Sequence, residues 1–67
     1  MLYFAVHKDE TVLCEARLAD LLNILVDIND CDEDCAVWYG PHVVCIRHGK
    51  SGTITWLRPE HRPAVAA

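Results

Sequence analysis

The clearest pattern along the chain is a stripe of apolar residues. Leu18, Leu21, Leu22, Leu25 and Ile28 recur at intervals of three and four, which puts them on one face of a helix. Asp20, Asn23 and Asp27 fall on the opposite face, and no glycine or proline interrupts the run. Glu15 near its start suits the positive end of a helix dipole. The spacing predicts a helix over 15–29, and its apolar stripe needs a sheet to cover it.

Other stretches read as extended. Leu2 to Val6 is aromatic and apolar, with Leu2, Phe4 and Val6 on one face and Tyr3 and Ala5 on the other. His7-Lys8-Asp9-Glu10 is a polar turn. Thr11–Cys14 is read as a short helical or turn segment leading into the helix, with a short return strand as the alternative. Ala36–Tyr39 is extended and is punctuated by Gly40-Pro41. His42–His48 and Thr53–Leu57 are strands of a hairpin closed by Gly49-Lys50-Ser51, with Gly52 free to take φ > 0. In that register Ile46 faces Ile54, Val44 faces Trp56, and all four share one side of the sheet. The predicted fold class is therefore α+β: a small antiparallel sheet of about three strands in β-α-β-β order, with one long helix packed on one face. Residues 1–58 form the single domain, and 59–67 a proline-containing tail expected to fray.

Length and composition set bounds on this picture. Sixty-seven residues make one domain of marginal stability, with little room for a deep pocket. Half the residues are apolar, which argues against disorder. The first ten residues lack a basic n-region and no apolar run approaches a membrane span, so a cytoplasmic protein is expected. Its four cysteines, Cys14, Cys31, Cys35 and Cys45, are then expected to be reduced.

Charge changes the picture most. The net charge of −4 hides an uneven split. Residues 1–41 hold nine acids against Lys8 and Arg17, while 42–67 hold Arg47, Lys50, Arg58 and Arg62 against Glu60. The domain is electrically two-sided if the fold keeps these halves apart. Acids crowd the helix end, where they oppose the dipole: Asp27, Asp30, Asp32, Glu33 and Asp34 lie within eight residues.

Several motifs tempt and fail. Cys31-x3-Cys35 followed by His42-x5-His48 has zinc-like pair spacings. Two histidines six positions apart on one strand are, however, ~20 Å apart and do not reach one ion. Asp30-x-Asp32-x-Asp34 imitates the opening of a calcium loop, but Cys35 stands where glycine is required and Pro41 where glutamate is. Gly49-Lys50-Ser51 copies the end of a phosphate loop, yet a strand follows it instead of a helix. No cysteine has the neighbours a nucleophile needs: Cys45 reads as a small sheet residue and Cys14 as core. No enzyme activity and no cofactor are expected.

What remains is an acidic surface. Asp20, Asp27, Asp30, Asp32, Glu33 and Asp34 are the candidate contact residues, with Asp9, Glu10 and Glu15 beside them. A row of carboxylates imitates the sign and spacing of a phosphate backbone, so a DNA mimic occupying a nucleic-acid groove is one use for it. In its short, acidic profile of strand, long helix, hairpin and Asp30–Asp34 cluster, the chain resembles small phage-encoded anti-CRISPR proteins acting on type I (type I-C-like) Cascade. The resemblance implies a monomeric, stoichiometric inhibitor in the host cell cytosol. It would bind the basic DNA-reading surface of the Cascade large subunit, touch no nucleic acid or membrane itself, and block target DNA. Two alternatives stand beside it: a small metal-binding module using Cys31 and Cys35, and a single-strand nucleic-acid binder using the basic hairpin with Tyr39 and Trp56.

Overall fold

The structure, a computed structural model, describes residues 2–7, 9–15, 17–28 and 33–64, with the side chains of 27 and 28 outside the description. Its elements are β1 (Tyr3–His7), β2 (Glu10–Cys14), α1 (Leu18–Ile28), β3 (Cys35–Tyr39), β4 (His42–Arg47), β5 (Ile54–Trp56) and a 3-10 turn at Pro59–His61. The strands form one sheet in the order β2-β1-β3-β4-β5, with every neighbouring pair antiparallel.

This corrects the predicted fold class. The molecule is dominated by a five-stranded sheet, not by a long helix on about three strands, and the helix is 11 residues long. The difference begins at Thr11–Cys14, which is strand β2. His7 pairs with Glu10 across a two-residue connection, where Asp9 takes φ 65°. Aspartate tolerates that left-handed backbone better than most residues, which suits a tight hairpin. Val12 then lies opposite Ala5, and Cys14 opposite Tyr3. Because β2 uses the chain to Cys14, the helix starts three residues later than the pattern suggests. The Cys14 thiol donates to the Arg17 carbonyl at 2.8 Å across the link.

The helix stripe is as expected where it is described. Leu18, Leu21 and Leu25 are buried and Leu22 packs against the core. They meet one face of the sheet: Ala5 and Cys14 from β1 and β2, and Val37, Val44 and Cys45 from β3 and β4. Among the described residues no helix is long and apolar enough to cross a membrane.

A bulge lets β4 bury two consecutive residues. Val37 pairs with Cys45 and Trp38 with Val43, so Val44 is the extra residue. Two bulged residues then oppose one and share its side of the sheet. Val44 and Cys45 are both fully buried. The Val44 carbonyl accepts from the amides of Leu57 and Arg58, both at 3.0 Å, which fixes the chain leaving β5.

The β4–β5 register differs from expectation by one residue. Cys45 faces Trp56, Ile46 faces Thr55 and Arg47 faces Ile54. The connection uses four residues, 49–52: the His48 amide donates to the Thr53 carbonyl and the Gly52 amide to the His48 carbonyl, both at 2.8 Å. Gly52 does take positive φ, at 71°. A one-residue slip sends side chains to the other face, so Ile46 leaves the side it was expected to share with Ile54.

The tail expected to fray starts with an ordered turn. His61 Nδ1 lies 2.9 Å from the Tyr3 hydroxyl, and its ring packs against Tyr39 at 4.9 Å. Burial, and secondarily Tyr39, push the Tyr3 hydroxyl above the usual tyrosine range. An open groove of about 400 Å³ lies between this turn and the start of α1, lined by Tyr3, Arg17, Leu18, His61 and Pro63 among others.

Candidate interaction surface

Sheet register decides which charges meet. β1 runs antiparallel to both β2 and β3, so the β1–β2 turn and the start of β3 lie at the same end of the sheet. The buried pair His7 Nδ1 and Cys35 Sγ, 3.3 Å apart, marks that end. Asp9, Glu10, Glu33 and Asp34 gather there, all exposed. Residues 24 positions apart in sequence are thereby brought onto one acidic rim.

The six contact residues expected from sequence have different fates. Glu33 is exposed at the rim. Asp34 is exposed but engaged: it accepts from the Gly49 amide at 3.1 Å, and its other oxygen lies 3.3 Å from His48 Nδ1. These bonds, the Gly49 amide first, hold its carboxyl below the usual aspartate range. Asp20 is paired with Arg17 at 3.2 Å, which offsets its charge, and sits on the helix away from the rim. Asp27 belongs to α1 with its side chain outside the description, and Asp30 and Asp32 lie outside the described residues.

The basic half of the chain does not form a matching block. Arg58 and Arg62 stand at the opposite end of the sheet, with Arg58 Nη2 3.2 Å from His42 Nδ1. Arg47 and the hairpin Lys50 stand at the acidic end, and Arg47 is buried on the helix side, with Nη2 close by Gly52. The fold does not keep the two halves apart: Arg47 and Lys50 stand at the acidic end, and Glu15 and Glu60 stand with Arg58 and Arg62 at the other.

The other motifs fall apart in space. His42 lies at the start of β4 and pairs with Tyr39, while His48 follows its end and bonds Thr55 at 2.7 Å, so the two do not converge. Cys31 lies outside the described residues, and Cys35 is buried against His7. Among the described residues no three metal-ligating side chains cluster. Cys14, Cys35 and Cys45 are buried, and burial pushes the Cys45 thiol up to about 11.

Sequence reasoning missed the largest feature. Among the described residues both non-strand elements, α1 and the 3-10 turn, pack on one side of the sheet. The other side carries a row running Leu13, Phe4, Trp38, Val43 across four strands. Beside it lie Val6, Ala36 and Ile46. Phe4 and Trp38 stack nearly parallel, 9° apart in plane with centroids at 6.1 Å. Leu13 is 55% exposed and Val6 44%, while Ala5 and Val37, pointing the other way, are fully buried. Among the described residues, Asp34 and His48 lie on this open face at its acidic end. The signal was present in the chain: Tyr3-Phe4-Ala5-Val6, Ala36-Val37-Trp38-Tyr39 and Val43-Val44-Cys45-Ile46 do not alternate. Unbroken apolar runs belong to strands covered on both faces.

No family model, curated protein or solved structure matches the chain.

Proposed function

We propose that the protein acts without catalysis, as a stoichiometric inhibitor that presents an acidic surface to a nucleic-acid-handling protein. The observation supporting this reading is the acidic rim, where the sheet brings Asp9 and Glu10 beside Glu33 and Asp34. Exposed carboxylates at one end of a sheet serve to steer a basic partner. Asp30 and Asp32 lead into the same strand in sequence and extend the run. The partner that fits is a protein with a basic groove for DNA; a CRISPR surveillance complex of type I-C is the specific case that the resemblance names. Asp34 serves the fold through Gly49, and Asp20 is neutralised by Arg17, so Asp9, Glu10, Asp30, Asp32 and Glu33 are the stronger contact residues.

A base-stacking role for the Phe4–Trp38 face is less well supported. Single-strand binders flank such aromatics with cations, whereas this face carries Asp34, Thr11, Thr55 and His48. The test is a gel mobility shift of target DNA by purified type I-C Cascade. Wild-type protein in slight excess should abolish the shifted band, and the folded Asp30→Lys/Asp32→Lys/Glu33→Lys variant should restore it. An unchanged band with wild type removes that complex as the partner. Full inhibition by the triple variant removes the acidic surface as the means.

A further inference from the structure

We propose that Thr55 is an acylation site: His48 activates its hydroxyl and Asp34 positions His48, so that Thr55 takes one acyl group from an activated ester or thioester. This goes beyond the acidic-rim reading and does not depend on it, since inhibition by docking needs no chemistry. A chain of three side chains carries the inference. Asp34 Oδ2 lies 3.3 Å from His48 Nδ1, and His48 Nε2 lies 2.7 Å from Thr55 Oγ1. Asp34 and Thr55 are exposed and His48 is half-buried, so the hydroxyl is open to a reagent.

The fold brings the three parts together from three neighbouring strands. Asp34 leads into β3, His48 follows β4, and Thr55 is the middle residue of the edge strand β5. The His48 backbone is held on both sides: its amide donates to the Thr53 carbonyl and its carbonyl accepts from the Gly52 amide, both at 2.8 Å. The Gly49 amide donates to the other Asp34 oxygen at 3.1 Å and fixes the carboxylate. The proton positions follow from what each group can do. An ionised carboxylate only accepts, so a neutral His48 carries its proton on Nδ1 and donates it to Asp34. Nε2 is left with its lone pair, and the Thr55 hydroxyl donates to it. A hydroxyl is made nucleophilic by an imidazole in this way, and the imidazole is oriented by a carboxylate.

The chemistry is one acyl transfer. Thr55 Oγ1 attacks the donor carbonyl carbon while His48 Nε2 takes the hydroxyl proton. Asp34 faces the imidazolium that forms. The tetrahedral intermediate collapses, the bond from carbonyl carbon to the donor sulfur or oxygen breaks, and the leaving group departs with the electron pair. The proton passes from His48 to the leaving group or to solvent. Thiolates and phenolates leave readily and the threonine alkoxide does not, so the acyl group stays on Thr55. The surroundings select the donor. The Asp34 carboxylate disfavours a donor that is anionic at its reacting centre. Ile46 lies opposite Thr55 and Ala36 opposite Ile46, which offers an apolar acyl chain a place on the same face.

The test treats the folded chain with p-nitrophenyl butyrate, follows nitrophenolate release and maps the butyryl group by peptide mass spectrometry. Ser51 and Thr53 are the internal comparison, being exposed hydroxyls of the same hairpin that bond each other at 2.7 Å. Thr55 should be acylated and these two should not. His48→Gln should slow the reaction by about 10²-fold or more, the usual share of a general base. Thr55→Val should abolish it, and Thr55→Ser, which keeps a hydroxyl, should restore it at that position. Asp34→Asn should slow it by about tenfold or more and move the His48 ring nitrogen resonances toward the other tautomer, which a merely structural role would not do. Circular dichroism should report an intact fold for these variants of surface groups. Wild type without a butyryl group on Thr55 overturns the proposal. So does acylation of Ser51 or Thr53 as fast as Thr55, or a folded His48→Gln chain that reacts at the wild-type rate. A folded Asp34→Asn chain that keeps both rate and ring signature overturns the positioning role of Asp34.

Discussion

The two faces of one sheet have similar composition and opposite fates. On the helix side, Ala5, Val37, Val44 and Cys45 are sealed beneath Leu18, Leu21 and Leu25. On the other side, Phe4, Val6, Leu13 and Trp38 meet solvent, although they alternate with the sealed residues along the same strands. The difference lies in what the chain has left to spend on cover. One 11-residue helix shields one face of a five-stranded sheet, and the described residues hold no second α-helix. Small side chains at the centre of the sealed face let the helix settle closely, with Tyr3, Tyr39 and Trp56 packed around them, while Phe4 and Trp38 stack on the open face. The lesson is that apolar residues on a strand do not by themselves mark the core; the cover does.

The largest effect should come from breaking the sealed face. Leu21→Ala removes a fully buried side chain from beneath the sheet and should cost about 2–5 kcal/mol in urea unfolding. Leu13→Ala, equally apolar but 55% exposed, should cost under about 0.5 kcal/mol in dilute protein. Comparable losses at the two sites would mean that the faces are not different in kind.

A smaller effect is expected at the hairpin that sets the β4–β5 register. Gly52→Ala forces a side chain onto a backbone at φ 71°, and should cost about 1 kcal/mol. The added Cβ would sit 3.7 Å from Arg47 Nη2, an ordinary contact, so the loss is one of backbone and not of space. Gly52→Asn should lose less, because asparagine tolerates this region. Equal losses for the two variants would point to a clash instead.

The smallest effect concerns the rim. Bonds from Gly49 and His48 lower the Asp34 pKa below its unfolded value. Its contribution to stability is therefore present above the unfolded aspartate pKa and is lost as pH falls through the lower, folded value. The Gly49 amide resonance should follow this carboxyl, titrating at a pH below that of an ordinary aspartate, and Asp34→Asn should abolish the transition. A Gly49 amide that titrates as a free aspartate neighbour would remove the tether.

Much of the fold was legible in the chain. The helix stripe, the extended runs around Phe4, Trp38 and Val44, and positive φ at Gly52 all follow from local pattern and turn chemistry. Thr11–Cys14 was not legible, because four residues without polar alternation do not declare a period, and only pairing with β1 makes them a strand. That strand moved the helix start, and with it the register in which Arg17 reaches Asp20. The bulge at Val44 and the fourth loop residue before Thr53 are products of tertiary pairing, and each reassigns side chains between faces. The acidic residues were visible as a sequence cluster, but the approach of Asp9 and Glu10 to Glu33 needed the strand order. The open face was hinted at by the unbroken apolar runs, and its meaning depended on knowing that one helix covers one side only.

The claim that one face of the sheet is sealed and the other open is tested most directly through the two tryptophans. In a Trp56→Phe background Trp38 is the sole tryptophan, and in a Trp38→Phe background Trp56 is, so acrylamide quenching reports access to each face in turn. The account expects strong quenching of Trp38 on the open face and weaker quenching of Trp56, which packs against the core. Equal quenching of the two in folded chains would contradict it.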